Sequence, residues 1–252
     1  MNKRGQVTIF IIIAILIIGI IAMFIILNNK RDSDNIDRYF TTGDIKPKFD
    51  LLRNSIYNCM QTVGTDAIYV IWLQGGYYYK PREALDLEYI FIPYYYKQGQ
   101  ILIPTKTEIG RQISMYVNNY LGDCFKEIDN SDFSMEYQKA NTVVAINPGE
   151  VKFIIDMQVD ISKNNKKAIL QLKKSPFSVK SKLYEMYEVA KFITDSHKED
   201  AEMLCISCVA NMAKERDLYV DMIDQEENSS LVTIYDNSTS SDVFIYEFLN
   251  KY

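Results

Sequence analysis

Four cysteines, a single histidine and two runs of three tyrosines are the residues whose chemistry could define a function in this 252-residue chain. Cys205-Ile206-Ser207-Cys208 has the spacing of a thiol–disulfide centre, or of half a zinc site. A redox centre needs the pair at the start of a helix, where the helix dipole lowers a thiol pKa. The flanking runs Ala201-Glu202-Met203-Leu204 and Val209-Ala210-Asn211-Met212 instead read as helix interior. A four-cysteine zinc site normally brings two such pairs, whereas Cys59 and Cys124 are single and far apart. Structural disulfides are therefore expected, and of the three connectivities the favoured one joins Cys59 to Cys124 across two packed helices and Cys205 to Cys208 locally.

His197 follows Ser196 near a predicted helix end, where a histidine commonly supplies a favourable charge. No GxSxG, HExxH, phosphate-binding glycine loop or GxGxxG occurs, and the carboxylate pairs Glu199-Asp200 and Glu226-Glu227 sit in polar runs typical of solvated surface. No catalytic set, metal site or cofactor is expected. Tyr77-Tyr78-Tyr79 and Tyr94-Tyr95-Tyr96 combine apolar rings with polar tips, the chemistry of interfaces and sugar platforms, and are expected to flank one hairpin. Strand periodicity sends neighbours to opposite faces, so the core should claim some of each triplet. Asn228-Ser229-Ser230 and Asn237-Ser238-Thr239 match the N-glycosylation acceptor and lie in polar turns.

Positioning these residues requires a folded domain, and the composition supplies one: 13% aromatic and 24% charged residues. The net charge of -5 has no concentrated basic stripe, which excludes the footprint of a nucleic-acid binder. Apolar residues recur at helical spacing from Phe49 to about Leu73, ending at Gly75-Gly76, and a second helix is predicted from about Thr107 to Ile128 with Thr105 or Thr107 as N-cap. Tyr77–Lys80 and Leu87–Tyr96 read as short or edge strands interrupted by Pro81 and Pro93. Alternation between Phe133 and Lys180 predicts an antiparallel meander with turns at Asn147-Pro148-Gly149 and Asn164-Asn165. Helices follow over Ser181–His197 and roughly Lys198–Arg216, then strands near Leu218–Ile223, Leu231–Tyr235 and Val243–Phe248. Helices and strands in blocks, without regular βαβ alternation, predict an α+β fold with antiparallel sheets.

The N-terminus is of another kind. Val7 to Leu27 is 21 residues without a charge, with Thr8 the only polar side chain; as a helix it would be roughly 31 Å long, matching a hydrocarbon core. It is apolar all round, so a single-pass membrane helix over residues 6–30 is expected, inserted in lipid and followed by a polar stalk over 31–48. Residues 49–252 would form the extracytoplasmic domain, as one body or as subdomains 49–130 and 131–252.

Lys3-Arg4-Gly5-Gln6 followed at once by the apolar run resembles the class III signal peptide of archaeal type IV pilins and archaellins. The resemblance spans about 25 residues and implies cleavage of leader 1–5 after Gly5, leaving Gln6 as the mature N-terminus and the apolar helix as anchor and filament core. Phe10 stands at the fifth mature position, where many pilins carry a glutamate. An uncleaved anchor is the other reading. Leu73-Gln74-Gly75-Gly76-Tyr77, and the CxxC pair followed by Asp217-Leu218-Tyr219-Val220-Asp221, resemble features of uncharacterised pilin-leadered surface proteins of archaea. These resemblances imply a cell-surface structural protein, self-assembling through its first helix. The alternatives are an anchored ectodomain binding a surface protein or glycan, and an exported thiol oxidoreductase using Cys205 and Cys208.

Overall fold

The computed structural model describes residues 45–199, 204–225, 228–236 and 244–252. The leader with Gly5 and Gln6, the apolar run 7–27, stalk residues 31–44 and Asn237 lie outside them. Among the described residues no helix is long and apolar enough to cross a membrane.

The fold is α+β. Helix α1 spans Ile45–Leu73, beginning inside the predicted stalk, because Pro47 in the first turn lacks only an N–H that has no helical partner there. It ends where the chain demands a left-handed residue. Gly75 has φ +51, its N–H bonds Trp72 O at 3.2 Å, and Gly76 N–H bonds Ile71 O at 2.8 Å, which together satisfy the last helical carbonyls. A Cβ on Gly75 would also lie 2.5 Å from Glu247 O and from Pro93.

Strands β1 (Ala84–Asp86), β2 (Phe91–Lys97) and β3 (Gln100–Ile101) follow. Tyr77–Lys80 is irregular, bending at Tyr78–Tyr79, and is not the expected strand. Helix α2, Lys106–Glu127, is capped by Thr105, whose side chain accepts the Glu108 N–H. Strands β4 (Ser134–Tyr137), β5 (Asn141–Asn147), β6 (Glu150–Asp156), β7 (Gln158–Lys163), β8 (Lys166–Gln171) and β9 (Phe177–Lys180) fill the predicted meander region. They build two sheets, ordered β4-β7-β8 and β5-β6-β9, instead of one meander. The chain leaves one sheet for the other at Met157, which stands outside both strands.

Helix α3 (Leu183–Glu199), helix α4 (Ile206–Lys214) and strands β10 (Leu218–Gln225), β11 (Ser229–Asp236) and β12 (Ile245–Lys251) complete the chain. The third sheet runs β1-β2-β12-β11-β10, with β3 on β2. Its β12–β2 pairing is parallel, so this sheet is mixed where an antiparallel one was expected. Parallel neighbours need a long crossover, and here every element from β3 to β11 separates the two strands.

Two compact units emerge, interleaved in sequence and not consecutive halves. The smaller contains, among the described residues, 45–51, 130–136 and 160–170. There Asp132 accepts both Lys48 and Lys163 at 2.7 Å, and the Phe49 and Phe133 rings meet edge-on at 6.3 Å. The larger contains residues 52–129, 137–159 and 171–252. In it Gly64 and Gly110 let the first two helices approach sheet β5-β6-β9: a Cβ on Gly64 would lie 2.9 Å from the Phe177 ring, and one on Gly110 3.0 Å from Val144 O.

Candidate functional site

The two tyrosine runs part company in the fold. Tyr95 and Tyr96 are both buried in β2, because both faces of the strand are covered there: the Tyr95 ring meets Phe248 and the Tyr96 ring meets His197. Tyr95 stacks on Phe248 at 4.4 Å, donates to Gly75 O at 2.8 Å and shares a hydrogen bond with the Tyr246 hydroxyl. Burial pushes its phenol well above the ordinary range. Only Tyr94 is partly accessible, with Lys97 Nζ 4.9 Å above its ring.

Tyr77, Tyr78 and Tyr79 do not share a hairpin with that strand. Gln112, buried on α2, accepts the N–H groups of Tyr78 and Tyr79 at 3.0 and 3.2 Å and so fixes their bend against the helix. Tyr77 points inward, and burial, reinforced by the Glu108 carboxylate, raises its phenol to about 12. Tyr78 and Tyr79 face outward and join Tyr116 and Tyr120 of α2. Ring centroids lie 4.5 Å apart for Tyr78–Tyr79, 5.4 Å for Tyr78–Tyr116 and 4.5 Å for Tyr116–Tyr120. Asn119 donates its amide to the Tyr79 hydroxyl at 3.2 Å. Tyr79 and Tyr120 are 51% and 42% exposed, so a ring platform edged by hydroxyls and an amide faces solvent. Tyr116 and Tyr120 escaped the sequence reading, although their four-residue spacing from Gln112 onward is a legible helical signal.

The cysteines form two disulfides. Cys59 on α1 is bonded to Cys124 on α2 with Cα atoms 5.9 Å apart, and Cys205 to Cys208 with Cα atoms 5.2 Å apart. No thiol is left to bind zinc. The expected helix interior around the second pair is corrected: Cys205 is the N-cap of α4, with φ -71 and ψ 84 outside helical space, and its sulfur accepts the Cys208 N–H at 3.3 Å. The continuous helix predicted from Lys198 to Arg216 fails because α4 starts afresh at Ile206. Both sulfur-bearing residues are exposed.

His197 lies in the last turn of α3, near the helix end as expected, and is buried. It lies beside a cavity of about 480 Å³ that Asp224, Ser230 and Tyr252 also line. His197 Nε2 and the Tyr252 hydroxyl are 3.3 Å apart, that hydroxyl and Ser230 Oγ 3.1 Å, and Ser230 Oγ donates to Asp224 at 3.1 Å. The order of this chain matters chemically. Ser230 gives its proton to a carboxylate and meets the imidazole only through Tyr252, so the nucleophile–base contact of an acyl-transfer site is not made. Among the described residues no group of three or more His, Cys, Asp or Glu side chains could hold a metal ion. Asn228 is exposed, with φ 56, at the turn that enters β11.

No family model matches this chain, and neither the curated proteins nor the solved structures contain a match.

Proposed function

We propose that this chain is a cell-surface structural protein, pilin-like at its N-terminus, whose apolar segment 7–27 sits in lipid and holds the α+β domain outside the cell. The observation that carries the reading is the pairing of all four cysteines behind that apolar run. Disulfides persist in oxidising surroundings and are rare in cytosolic proteins, where thiols are generally kept reduced. The mass of the native protein tests the processing: a product beginning at Gln6 supports a pilin-type leader, and retention of Met1 to Gly5 removes filament assembly by that route.

The tyrosine platform favours a second reading, an anchored ectodomain that binds a surface glycan or protein. Stacking on Tyr79 and Tyr120 would supply most of the contact, with Asn119 giving direction. Replacing both exposed tyrosines by alanine should abolish adhesion of cells to a glycan or protein surface while the domain stays folded. Unchanged adhesion would discard this reading.

A further inference from the structure

The two disulfides differ in everything except their bond. Cys59 is 8% exposed and ties together helices whose cysteines lie 65 residues apart in sequence, so this bond constrains the unfolded chain strongly. Cys205 and Cys208 are exposed and only 3 apart, and the turn they bridge is already closed by the Val209 N–H to Cys205 O bond at 3.0 Å. As a staple the second disulfide adds little. As a reagent it is well placed, because an incoming thiolate can reach its sulfurs and the amide already on Cys205 Sγ would stabilise that sulfur as a leaving thiolate.

Next to it is a place for a substrate. A cleft of about 580 Å³ runs between α4 and β10, where Ile206, Val220 and Met222 are the more accessible apolar side chains, Val209, Ala213 and Leu218 are buried, and the exposed Lys214, Asp217 and Tyr219 also line it. Ile206 belongs to both features: it stands inside the CxxC motif, lines the cleft and is 60% exposed. A polypeptide laying apolar side chains in the cleft would bring neighbouring cysteines to the disulfide.

We propose that Cys205–Cys208 is an exchange-active disulfide that oxidises cysteine pairs in unfolded, apolar polypeptide segments held in the α4–β10 cleft. A substrate thiolate attacks Cys208 Sγ, the Cys205–Cys208 bond breaks, and its electron pair leaves on Cys205 Sγ. The substrate's second thiolate then attacks its own sulfur in the mixed disulfide and expels Cys208 as thiolate. The substrate loses two protons and two electrons and gains a disulfide; the CxxC pair takes up both electrons and becomes two thiols. A small disulfide such as oxidised glutathione restores the bond and is itself reduced to two thiols.

The test uses the full chain in detergent, oxidised glutathione as the oxidant, and two reduced peptides. Each carries two cysteines, flanked by leucine and phenylalanine in one and by serine and glutamate in the other. The protein should oxidise the apolar peptide about tenfold or more faster than a C205S/C208S variant does, and faster than the polar peptide. Ile206→Lys should narrow that preference. Circular dichroism and an intact Cys59–Cys124 bond establish that each variant is folded, and the single variant C208S, which cannot re-form the local bond, replaces the double one if it is not. A wild-type rate no higher than that of the folded variant overturns the proposal, as does an equal rate on both peptides.

Discussion

Tyr95 shows how one hydroxyl can be committed to the core. It satisfies the Gly75 carbonyl behind α1 and contacts the Tyr246 hydroxyl, both in the interior. Tyr95→Phe keeps the ring stacked on Phe248 but leaves a buried acceptor without its donor, so urea unfolding should show a loss of about 1–3 kcal/mol. The same tyrosines set an alkaline limit. Burial raises the phenols of Tyr77, Tyr95 and Tyr246, so the folded chain keeps neutral rings that the unfolded chain ionises near the ordinary value of 10.0. A raised folded-state value contributes stability that is fully present below pH 10.0 and is lost as pH rises, for Tyr77 through about 12. Denaturation midpoints should therefore fall in that window, and ultraviolet titration should show a class of phenols that ionises only with unfolding.

At the scale of elements, close approach is bought with glycine. Gly64 stands where α1 meets the stacked rings of Phe153 and Phe177, whose centroids are 4.8 Å apart with planes inclined by 4°. A methyl group there would sit 2.9 Å from Phe177, and the ring could yield only by leaving its stack. Gly64→Ala should destabilise the domain by about 1–3 kcal/mol, although alanine is the better helix former by roughly 1 kcal/mol. Thermal denaturation of the variant checks the sign; a rise in midpoint would mean that Phe177 moves freely.

For the molecule as a whole, the Cys59–Cys124 bond is the long-range tie. Closing a separation of 65 residues contributes about 4 kcal/mol in the chain-entropy picture, a large part of the roughly 5–15 kcal/mol that stabilises an ordinary domain. A C59S/C124S variant should unfold at markedly lower urea concentration, whereas loss of the exposed Cys205–Cys208 bond should shift the midpoint little. Equal shifts would mean that both bonds have the same structural role.

Local pattern was enough for much of this. The periodicity of α1 and α2, the cap at Thr105, the alternation of β6 and β7 and the α+β class are all legible in sequence, because each depends on residues within a few positions of one another. The apolar run 7–27 is likewise a property of composition alone. What depended on distant partners was not legible. Whether Tyr79 faces solvent and Tyr95 the core was decided by Gln112 on α2 and by the parallel pairing of β2 with β12. The split of one predicted meander into two sheets turned on where Met157 lets the chain change partners. And the CxxC pair, read locally as helix interior, became a helix start because Cys205 leaves helical space and caps α4, its sulfur accepting the Cys208 N–H.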